Sequence, residues 1–556
     1  MKFVNVLFVV LLYCTHLSAQ VTLPNNLYFT HIGVEDGLCQ NTVCCILQDH
    51  LGFIWLGTKD GLTRYDGYRF RVFKHDAADP MSIGNNFIRV LYEDADGLIW
   101  IGTNVGVYIY NPETENFRKF DVATERGDVI SREVSSIKCD SSGDLWIGVN
   151  WQGVFRYDRR DESLELYEPV PGDTTSLSSV HVWDLCFDGD GNLWVGSQNG
   201  GLDRYDRETD RFVRHRLKGL SDVSRIVLDK QNQLLLGTMK DGLFSFNPYM
   251  GTCQPLLLDS GHKDLFVRAI FVRNSREVVV GTENGIYIYD CVTRKTRHVN
   301  QELGNPYSLS CKAVYSIYCD KEGALWIGTY FGGVNYLPPS SSLIFDKFYP
   351  IGHSDRLSGK AVREFVRDES GIIWIGTEDQ GLNRFDPVSG KFTHYNSRNS
   401  GLSCDNVHGL CVDGDRLYIG TFFGGFNIMD LKTNEIVALG SQMLPDDSVF
   451  SIFRDHDGRI WVGLTYGLCL FHPEDGSFEL VREIPENLFI YDIYQGDDGI
   501  IYFAAYNRGV ITYNPHTGKW GQVESGDEGL LKHVVSINED SAFHIWFGTE
   551  GRGAVR

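Results

Sequence analysis

Short clusters of carboxylates are the residues of this chain with the clearest capacity for chemistry. Three share the pattern Asp-x-Asp-Gly, at Asp94/Asp96, Asp188/Asp190 and Asp455/Asp457. Clustered carboxylates suit calcium, but a calcium loop needs further oxygen ligands and a late glutamate, and none is spaced correctly here. We therefore interpret these segments as hairpin turns. The sequence predicts no metal site and no cofactor.

Motifs of several enzyme classes are absent from the sequence. It has no His-Glu-x-x-His, no Gly-x-x-x-x-Gly-Lys-Ser/Thr and no Gly-x-Ser-x-Gly, so metalloprotease, P-loop and serine hydrolase chemistry lack their signatures. His181 and His408 each begin a predicted inner strand and could reach a central channel. A lone histidine there is more simply a polar lining residue than a general base. No catalytic residue is predicted.

The elements that position these residues come from one repeated unit, seen clearly from Asp94 to Asn111. An Asp-x-x-Gly turn leads into a strand centred on Trp100, and Gly106 turns the chain back into an alternating third strand. Twelve copies of the unit are spaced 41 to 48 residues apart when aligned on one small residue, and they lie at Gly57, Gly102, Gly148, Gly196, Gly237, Gly281, Gly328, Gly376, Gly420, Gly463, Ala504 and Gly548. This period, with four short strands per copy, is typical of β-propeller blades.

The repeat predicts an all-β fold of tandem β-propellers. Seven copies precede Leu337-Pro338-Pro339, and we place the boundary there, so that the first seven-bladed propeller spans 20–339 and the second propeller 340–556. Phe29-Thr30-His31 resembles an outer strand and can close the seventh blade, and 344–349 resembles a second spare outer strand. Five copies follow the boundary and the last stops inside its third strand. We therefore expect the second propeller to be incomplete at the C-terminus, with about five of seven blades.

Composition and the N-terminus limit the location and the partners. Residues 1–19 have a lysine, an apolar run and a Ser-Ala end, as in a signal peptide, and no later run is long enough to span a membrane. We expect a periplasmic chain that does not span the membrane. With 51 basic and 73 acidic residues the net charge is −22, so nucleic acid is not an expected partner.

The repeats resemble the two-component regulator propeller repeats in the periplasmic sensor region of Bacteroidetes hybrid two-component systems. The resemblance rests on the twelve copies and on the opening segments around Glu35-Asp36-Gly37-Leu38 and Trp55-Leu56-Gly57-Thr58. It implies two seven-bladed propellers, an immunoglobulin-like domain, a membrane helix, a histidine kinase, a receiver and a DNA-binding module. The kinase, receiver and DNA-binding parts are not in this sequence, so the resemblance indicates a truncated sensor without enzyme activity of its own.

Two functions fit this resemblance. In the first, the chain senses an oligosaccharide that controls polysaccharide-utilisation genes, as part of a receptor that would be a homodimer anchored in the inner membrane. In the second, it is a secreted propeller lyase or hydrolase, since similar repeats occur in streptogramin-lyase-like propellers. A sensor would bind its ligand without releasing a product, whereas an enzyme would release shorter or unsaturated products.

The loops joining the second and third strands of each blade are the expected binding site, because they ring one mouth of the channel. Aromatic faces match the C–H face of a sugar, and amides match its hydroxyls. Trp151, Tyr330 and Phe331 are therefore the predicted stacking platforms, with Asn150, Gln198 and Asn199 as hydroxyl partners. Phe422, Phe423 and Tyr466 occupy equivalent loops in the second propeller. These aromatic residues could also merely cover loops.

Overall fold

The computed structural model describes residues 22–217, 220, 222–257, 265–339, 347–348, 356–439, 444–485, 487–524 and 529–556. Within these ranges the chain is built of strands, and its helical structure is a single 3-10 turn at Val34–Asp36. Two compact units are present, unit 1 (Met1–Asp346) and unit 2 (Lys347–Arg556). The predicted signal peptide, the spare strand at 344–346 and 349, and the first residues after the predicted boundary at 339 lie outside the described residues, so that boundary stays a prediction.

Unit 1 contains seven four-stranded antiparallel sheets, here called blades 1 to 7 in chain order. A separate first strand is β1 (Thr30–Ile32). The strands of blades 1 to 4 are β2 (Val43–Gln48), β3 (Ile54–Thr58), β4 (Gly61–Tyr65), β5 (Phe70–Phe73); β6 (Ile88–Glu93), β7 (Ile99–Thr103), β8 (Gly106–Asn111), β9 (Asn116–Lys119); β10 (Val134–Cys139), β11 (Leu145–Val149), β12 (Gly153–Asp158), β13 (Ser163–Tyr167); β14 (Val182–Phe187), β15 (Leu193–Ser197), β16 (Gly201–Asp206) and β17 (Arg211–His215). Blades 5 to 7 contain β18 (Val223–Leu228), β19 (Leu234–Thr238), β20 (Leu243–Asn247), β21 (Thr252–Leu257); β22 (Val267–Val272), β23 (Glu277–Thr282), β24 (Gly285–Asp290), β25 (Thr296–Val299); β26 (Val314–Cys319), β27 (Leu325–Thr329) and β28 (Val334–Leu337).

Unit 2 contributes five further sheets, blades 8 to 12, of which the first four have four strands and the last has three. Their strands are β29 (Val362–Arg367), β30 (Ile373–Thr377), β31 (Gly381–Asp386), β32 (Lys391–Tyr395); β33 (Val407–Asp413), β34 (Arg416–Thr421), β35 (Gly425–Asp430), β36 (Ile436–Leu439); β37 (Val449–Arg454), β38 (Ile460–Leu464), β39 (Gly467–His472), β40 (Ser477–Leu480); β41 (Phe489–Gln495), β42 (Ile501–Tyr506), β43 (Gly509–Asn514), β44 (Lys519–Gln522); β45 (Val534–Glu539), β46 (Ile545–Thr549) and β47 (Gly553–Val555). The predicted all-β propeller fold is confirmed. The number of blades in a complete second ring stays a prediction.

The turn between the first two strands of a blade is fixed by one aspartate. In blade 2, Asp94 Oδ1 accepts the backbone N–H groups of Asp96 and Leu98, and its Oδ2 accepts the buried indole N–H of Trp100 at 2.8 Å. The same indole bond joins Asp49–Trp55, Asp140–Trp146, Asp188–Trp194, Asp320–Trp326, Asp368–Trp374, Asp455–Trp461 and Asp540–Trp546. These aspartates therefore hold hairpin turns, as the hairpin interpretation predicts, and each fixes a tryptophan, which is buried in every blade of this set except the last.

Neighbouring blades meet at the glycine that marks the repeat. A Cβ atom on Gly102 would lie 2.6 Å from Val134 Cγ1, the first residue of the next inner strand, so only glycine fits. The same close approach between Gly328 and Val43 joins blade 7 to blade 1. The hydrophobic core lies in layers between blades, such as the layer that packs Trp100 of blade 2 on Phe155 of blade 3.

Ring closure in unit 1 uses the first strand. β1 pairs with β28, with Thr30 opposite Tyr336, and so becomes the outer strand of blade 7. The inner strands β2, β6, β10, β14, β18, β22 and β26 contact one another in this order and β26 contacts β2. The predicted role of Phe29-Thr30-His31 is thus confirmed. Gly102 and Thr103 lie within β7, and Thr103 Oγ1 donates to the carbonyl of Gly106 and so extends the hairpin.

Candidate functional site

Every inner strand of unit 1 has a β-bulge directly after its first residue. The bulged residues are Cys44, Arg89, Ser135, Trp183, Ser224, Arg268 and Tyr315. A bulge re-aims a side chain at the edge of a sheet. Each bulge lies at the same end of its blade as the loop between the second and third strands. We call these bulged residues, the residue before each inner strand and the residues of each such loop the unit 1 mouth.

Three of the predicted site residues come together beside blades 3 and 4. The ring of Trp151 stands edge-on to the ring of His181, with centroids 4.0 Å apart, and Asn150 Oδ1 lies 3.2 Å from His181 Nδ1. The backbone N–H of Gln198 donates to the carbonyl of His181. Trp151 is 63% exposed and has a φ of 70°, a left-handed conformation that an aromatic residue rarely adopts. Such strain is concentrated at functional sites.

A second group forms on the opposite part of the rim, where blade 7 meets blade 1. Lys59 Nζ donates to Tyr330 Oη at 2.8 Å and lies 4.0 Å from the centre of that ring. Tyr330 contacts both Phe331 (4.3 Å between centroids) and Tyr315 (5.0 Å), and Phe331 is 72% exposed. The predicted platforms Tyr330 and Phe331 therefore form one aromatic surface.

Asn199 follows Gln198 in the loop between the second and third strands of blade 4. It has a φ of 59°, and its backbone N–H donates to Asp222 Oδ1. The predicted residues thus fall into two groups on one rim rather than one compact pocket. Their role in ligand binding stays a prediction.

Two arginines at bulge positions belong to the same rim, and the sequence reasoning missed them. Arg89 lies 4.0 Å from the ring centre of Phe87 and donates to Asn104 Oδ1 at 2.7 Å. Arg268 repeats this arrangement, 3.9 Å from Phe266 and 2.7 Å from Glu283 Oε1. A Phe-x-Arg pattern beginning one residue before each inner strand is the signal that could have revealed both.

Deeper in the channel of unit 1, Asp184 and Arg225 lie on neighbouring inner strands. Asp184 accepts Ser136 Oγ and the backbone N–H of Ile226. Arg225 donates to the carbonyls of Arg268 and Ser224. Burial lowers the pKa of Arg225, and the nearby carboxylate of Asp184 opposes that shift.

The same positions in unit 2 form a different surface. Among the bulged residues Arg363, His408, Phe450, Tyr491 and Val535, the central three belong to a continuous aromatic cluster. Phe450 lies 4.2 Å from His408, 4.4 Å from Phe489 and 5.2 Å from Tyr491 between ring centroids. Burial lowers the pKa of His408 to about 4, and the charge of Arg363 contributes a smaller part of that shift. His408 is therefore neutral at pH 7.

Of the residues named in the unit 2 loops, Phe422 packs on Phe423 and Phe450, whereas Phe423 and Tyr466 are exposed. Inside the unit 2 channel, burial raises the pKa of Glu364 to about 7 and that of Asp492 to about 6. Within the described ranges, no group of three histidine, cysteine or carboxylate side chains is placed to hold a metal ion.

Comparison with known families identifies the repeat. Segments 37–60, 82–105, 176–199, 308–331 and 443–466 match the two component regulator propeller model. The chain therefore carries regulator propeller repeats, in four blades of unit 1 and one of unit 2. Each matched segment ends in a loop between second and third strands, at Asp60, Val105, Asn199, Phe331 and Tyr466.

Two solved structures and one curated relative are similar to this chain. The extracellular domain of a hybrid two component system from B. thetaiotaomicron aligns with a TM-score of 0.59 at 22% identity, covering 95% of this chain and 83% of that one. A second such domain from the same organism gives 0.50 at 19% identity, covering 96% and 78%. At these identities the likeness establishes the fold.

A histidine kinase of Formosa agariphila is 39% identical over 59 residues, which is 11% of this chain and 4% of the relative. The chain thus aligns with a small fraction of that protein's length. No helix in the described part of the chain is long and apolar enough to cross a membrane.

Proposed function

We propose that this chain is the ligand-sensing extracytoplasmic part of a hybrid two-component receptor and that it binds an oligosaccharide at the unit 1 mouth, in the periplasm. The observation that supports this most is the composition of that rim, where Trp151 and the Tyr330–Phe331 surface alternate with Asn150 and Lys59. Aromatic faces beside hydrogen-bonding groups suit sugar rings, which have an apolar face and a polar edge.

In the full-length receptor, a homodimer anchored in the inner membrane, the ligand would favour one arrangement of the propellers and so bias the kinase. That step needs parts outside this sequence. The chain alone therefore binds ligand without signalling.

A thermal-shift panel of plant, host and microbial oligosaccharides tests the proposed binding. A ligand present at about 100 times its dissociation constant adds about 2.7 kcal/mol to the free energy of unfolding. The same samples are then separated by chromatography. Stabilisation with intact oligosaccharide supports the sensor, whereas shortened or unsaturated products would establish the lyase or hydrolase alternative.

Once a ligand is found, Trp151→Asn and Tyr330→Ala each weaken binding by about 1 to 3 kcal/mol, the loss expected for an aromatic anchor. Asparagine is chosen at 151 because it tolerates positive φ, as Asn199 does at the corresponding loop position of the next blade. Isothermal titration measures the loss, and unchanged melting temperatures show that the fold is intact.

The matched control is Phe423→Asn in unit 2, where an aromatic residue has the same exposure and a φ of 68°. Affinity that falls only in the Phe423 variant would move the site to unit 2. Affinity unchanged in all three variants would remove these platforms from the site altogether.

A further inference from the structure

The unit 1 channel gathers positive charge in a chain whose net charge is −22. Lys59, Arg89 and Arg268 lie close enough for their charges to act on the thiol of Cys44, whose pKa burial nevertheless raises to about 11. Arg225 lies just below them, within reach of the charges of both Arg89 and Arg268. Four cations therefore converge on one end of the channel.

Carboxylates at this end are already bound in the structure. Arg268 pairs with Glu283 through a single carboxylate oxygen, and Arg89 does the same with Glu133 at 3.2 Å. Asp184 receives backbone and hydroxyl donors. No carboxylate of the described residues forms an ion pair with Arg225. Arg225 is half-buried, and a cation partly withdrawn from water without a paired anion is costly, so an anion that entered the channel would be stabilised there.

The guanidinium groups are held in place before any ligand arrives. The guanidinium carbons of Arg89 and Arg268 lie over the rings of Phe87 and Phe266, and the ring centre of Tyr315 also lies 4.5 Å from Arg268. Contact with a ring restricts each guanidinium, and the N–H groups that do not already donate to Asn104, Glu133 or Glu283 are left for a carboxylate or sulfate.

One further donor lies beside this group. Trp183 Nε1 is buried and has no hydrogen-bond partner among the described residues. The Trp183 ring meets the ring of Phe266, with centroids 6.4 Å apart, which places the indole next to Arg268. Indole and guanidinium groups can only donate hydrogen bonds, so the group that satisfies them must be an acceptor.

We infer that the unit 1 mouth selects an anionic oligosaccharide, whose sugar carboxylate or sulfate binds between Arg89, Arg225 and Arg268 and accepts a hydrogen bond from Trp183. This inference rests on the proposed function and adds the ligand class to it. Neutral sugars offer hydroxyl oxygens but no charge to offset that of Arg225.

Three tetrasaccharides with related galactose backbones test the inference by isothermal titration. They are neutral galactotetraose, an oligogalacturonide bearing carboxylates, and a κ-carrageenan tetrasaccharide bearing sulfates without carboxylates. We expect one or both charged probes to bind at least tenfold more tightly than galactotetraose. Raising the NaCl concentration from 50 to 300 mM should weaken that binding, and the charged probe that binds distinguishes carboxylate from sulfate recognition.

Arg268→Gln and Arg89→Gln should each weaken binding of the charged probe at least tenfold and leave the melting temperature within a few degrees. Arg71→Gln is the control, because Arg71 is an exposed arginine on the outer strand of blade 1 that pairs with Glu115. If Arg71→Gln weakens binding of the charged probe as much as Arg268→Gln does, the effect comes from the overall charge of the protein, and the inference is overturned.

Galactotetraose or another neutral sugar that binds as tightly as the charged probes, unaffected by Arg268→Gln, would overturn the anionic ligand and leave the oligosaccharide sensor standing. If no sugar in this set or in the thermal-shift panel binds, both the anionic ligand and the oligosaccharide sensor are overturned.

Discussion

In unit 1 the bulged residues at the channel mouth include two arginines stacked on phenylalanines, whereas the corresponding residues of unit 2 form a packed aromatic cluster around Phe450. Arg363 of unit 2 repeats the unit 1 pairing with a loop carboxylate, Glu378. Below the mouth the charges also differ, since unit 1 has Arg225 beside Asp184, whereas unit 2 has Glu364 and Asp492, whose pKa values are raised.

This difference between the two units shows that some positions of a blade are structural and others can vary. The aspartate–tryptophan pin and the contact between a glycine and the next inner strand recur in both units. The bulged residue is aimed out of the blade, so it can change from arginine to phenylalanine without disturbing either. Two mouths with different chemistry therefore stand on one kind of blade.

The largest expected effect tests whether the two units share this scaffold. Asp94→Ala in unit 1 and Asp455→Ala in unit 2 each leave a buried indole N–H without its acceptor, and each removes one of the two carboxylates that pair with an arginine. We expect each to lower the free energy of unfolding by about 2 to 4 kcal/mol, measured by urea denaturation.

Asp457→Ala is the control for that experiment, because this side chain belongs to the same turn as Asp455 but is 60% exposed and should cost less than about 1 kcal/mol. A large loss of unfolding free energy in only one of the two units would contradict the hypothesis that both units share one scaffold.

The second prediction concerns one position where the scaffolds differ. Asp203 is fully buried and accepts the N–H and Oγ–H of Ser178, whereas Asn383 of unit 2 makes the same contacts with Ser358. Burial raises the pKa of Asp203 to about 6, so its contribution to stability is present below about pH 4 and lost as the pH rises to about 6.

Asp203→Asn should therefore raise the free energy of unfolding by about 2 kcal/mol at pH 8 and by much less at pH 4, as measured by denaturation at both values. Asn383→Asp should introduce the same pH dependence into unit 2. An Asp203→Asn effect that is equal at both pH values would show that ionisation is not its cause.

The smallest expected effect compares the packed aromatic cluster of unit 2 with the exposed aromatic residues of unit 1. Phe450→Ala removes a half-buried ring that contacts His408, Phe489 and Tyr491, and we expect unit 2 to lose about 1 to 2 kcal/mol. Phe331→Ala in unit 1 removes an exposed ring and should change thermal stability little. Differential scanning calorimetry compares them, and equal losses would make the unit 1 aromatics structural too.

Sequence reasoning predicted the blades because their key contacts repeat at a fixed spacing. Gly102 and its equivalents are visible as a period, and Phe29-Thr30-His31 matches an outer strand. The loop residues Trp151 and Tyr330 could be located for the same reason, since they lie about two or three residues after that glycine. Positions defined by chain spacing alone can be found without a structure.

Positions defined by register could not be found in this way. A bulge shifts the pairing by one residue and leaves no mark in the alternation of side chains, so Arg89, Trp183 and Arg268 look like ordinary strand residues. The aspartate and tryptophan of each pin are both visible, six residues apart, but their hydrogen bond depends on the turn between them. Alignment of the repeats on their glycine therefore located the loop residues of the unit 1 mouth and missed its bulged residues.

The pairing of β1 with β28 also sets the time at which unit 1 can form. Thr30 and Tyr336 lie about 300 residues apart in the chain and opposite each other in blade 7. At a synthesis rate of about 5 to 20 residues per second, the first strand waits on the order of 15 to 60 seconds for its partner. Until then β1 has no partner strand and its edges are open for pairing with other chains, and the apolar side chains of blade 1 that pack against blade 7, such as Leu56, are uncovered. Unit 1 is thus exposed to aggregation early in its life, and the closing strand ends that exposure.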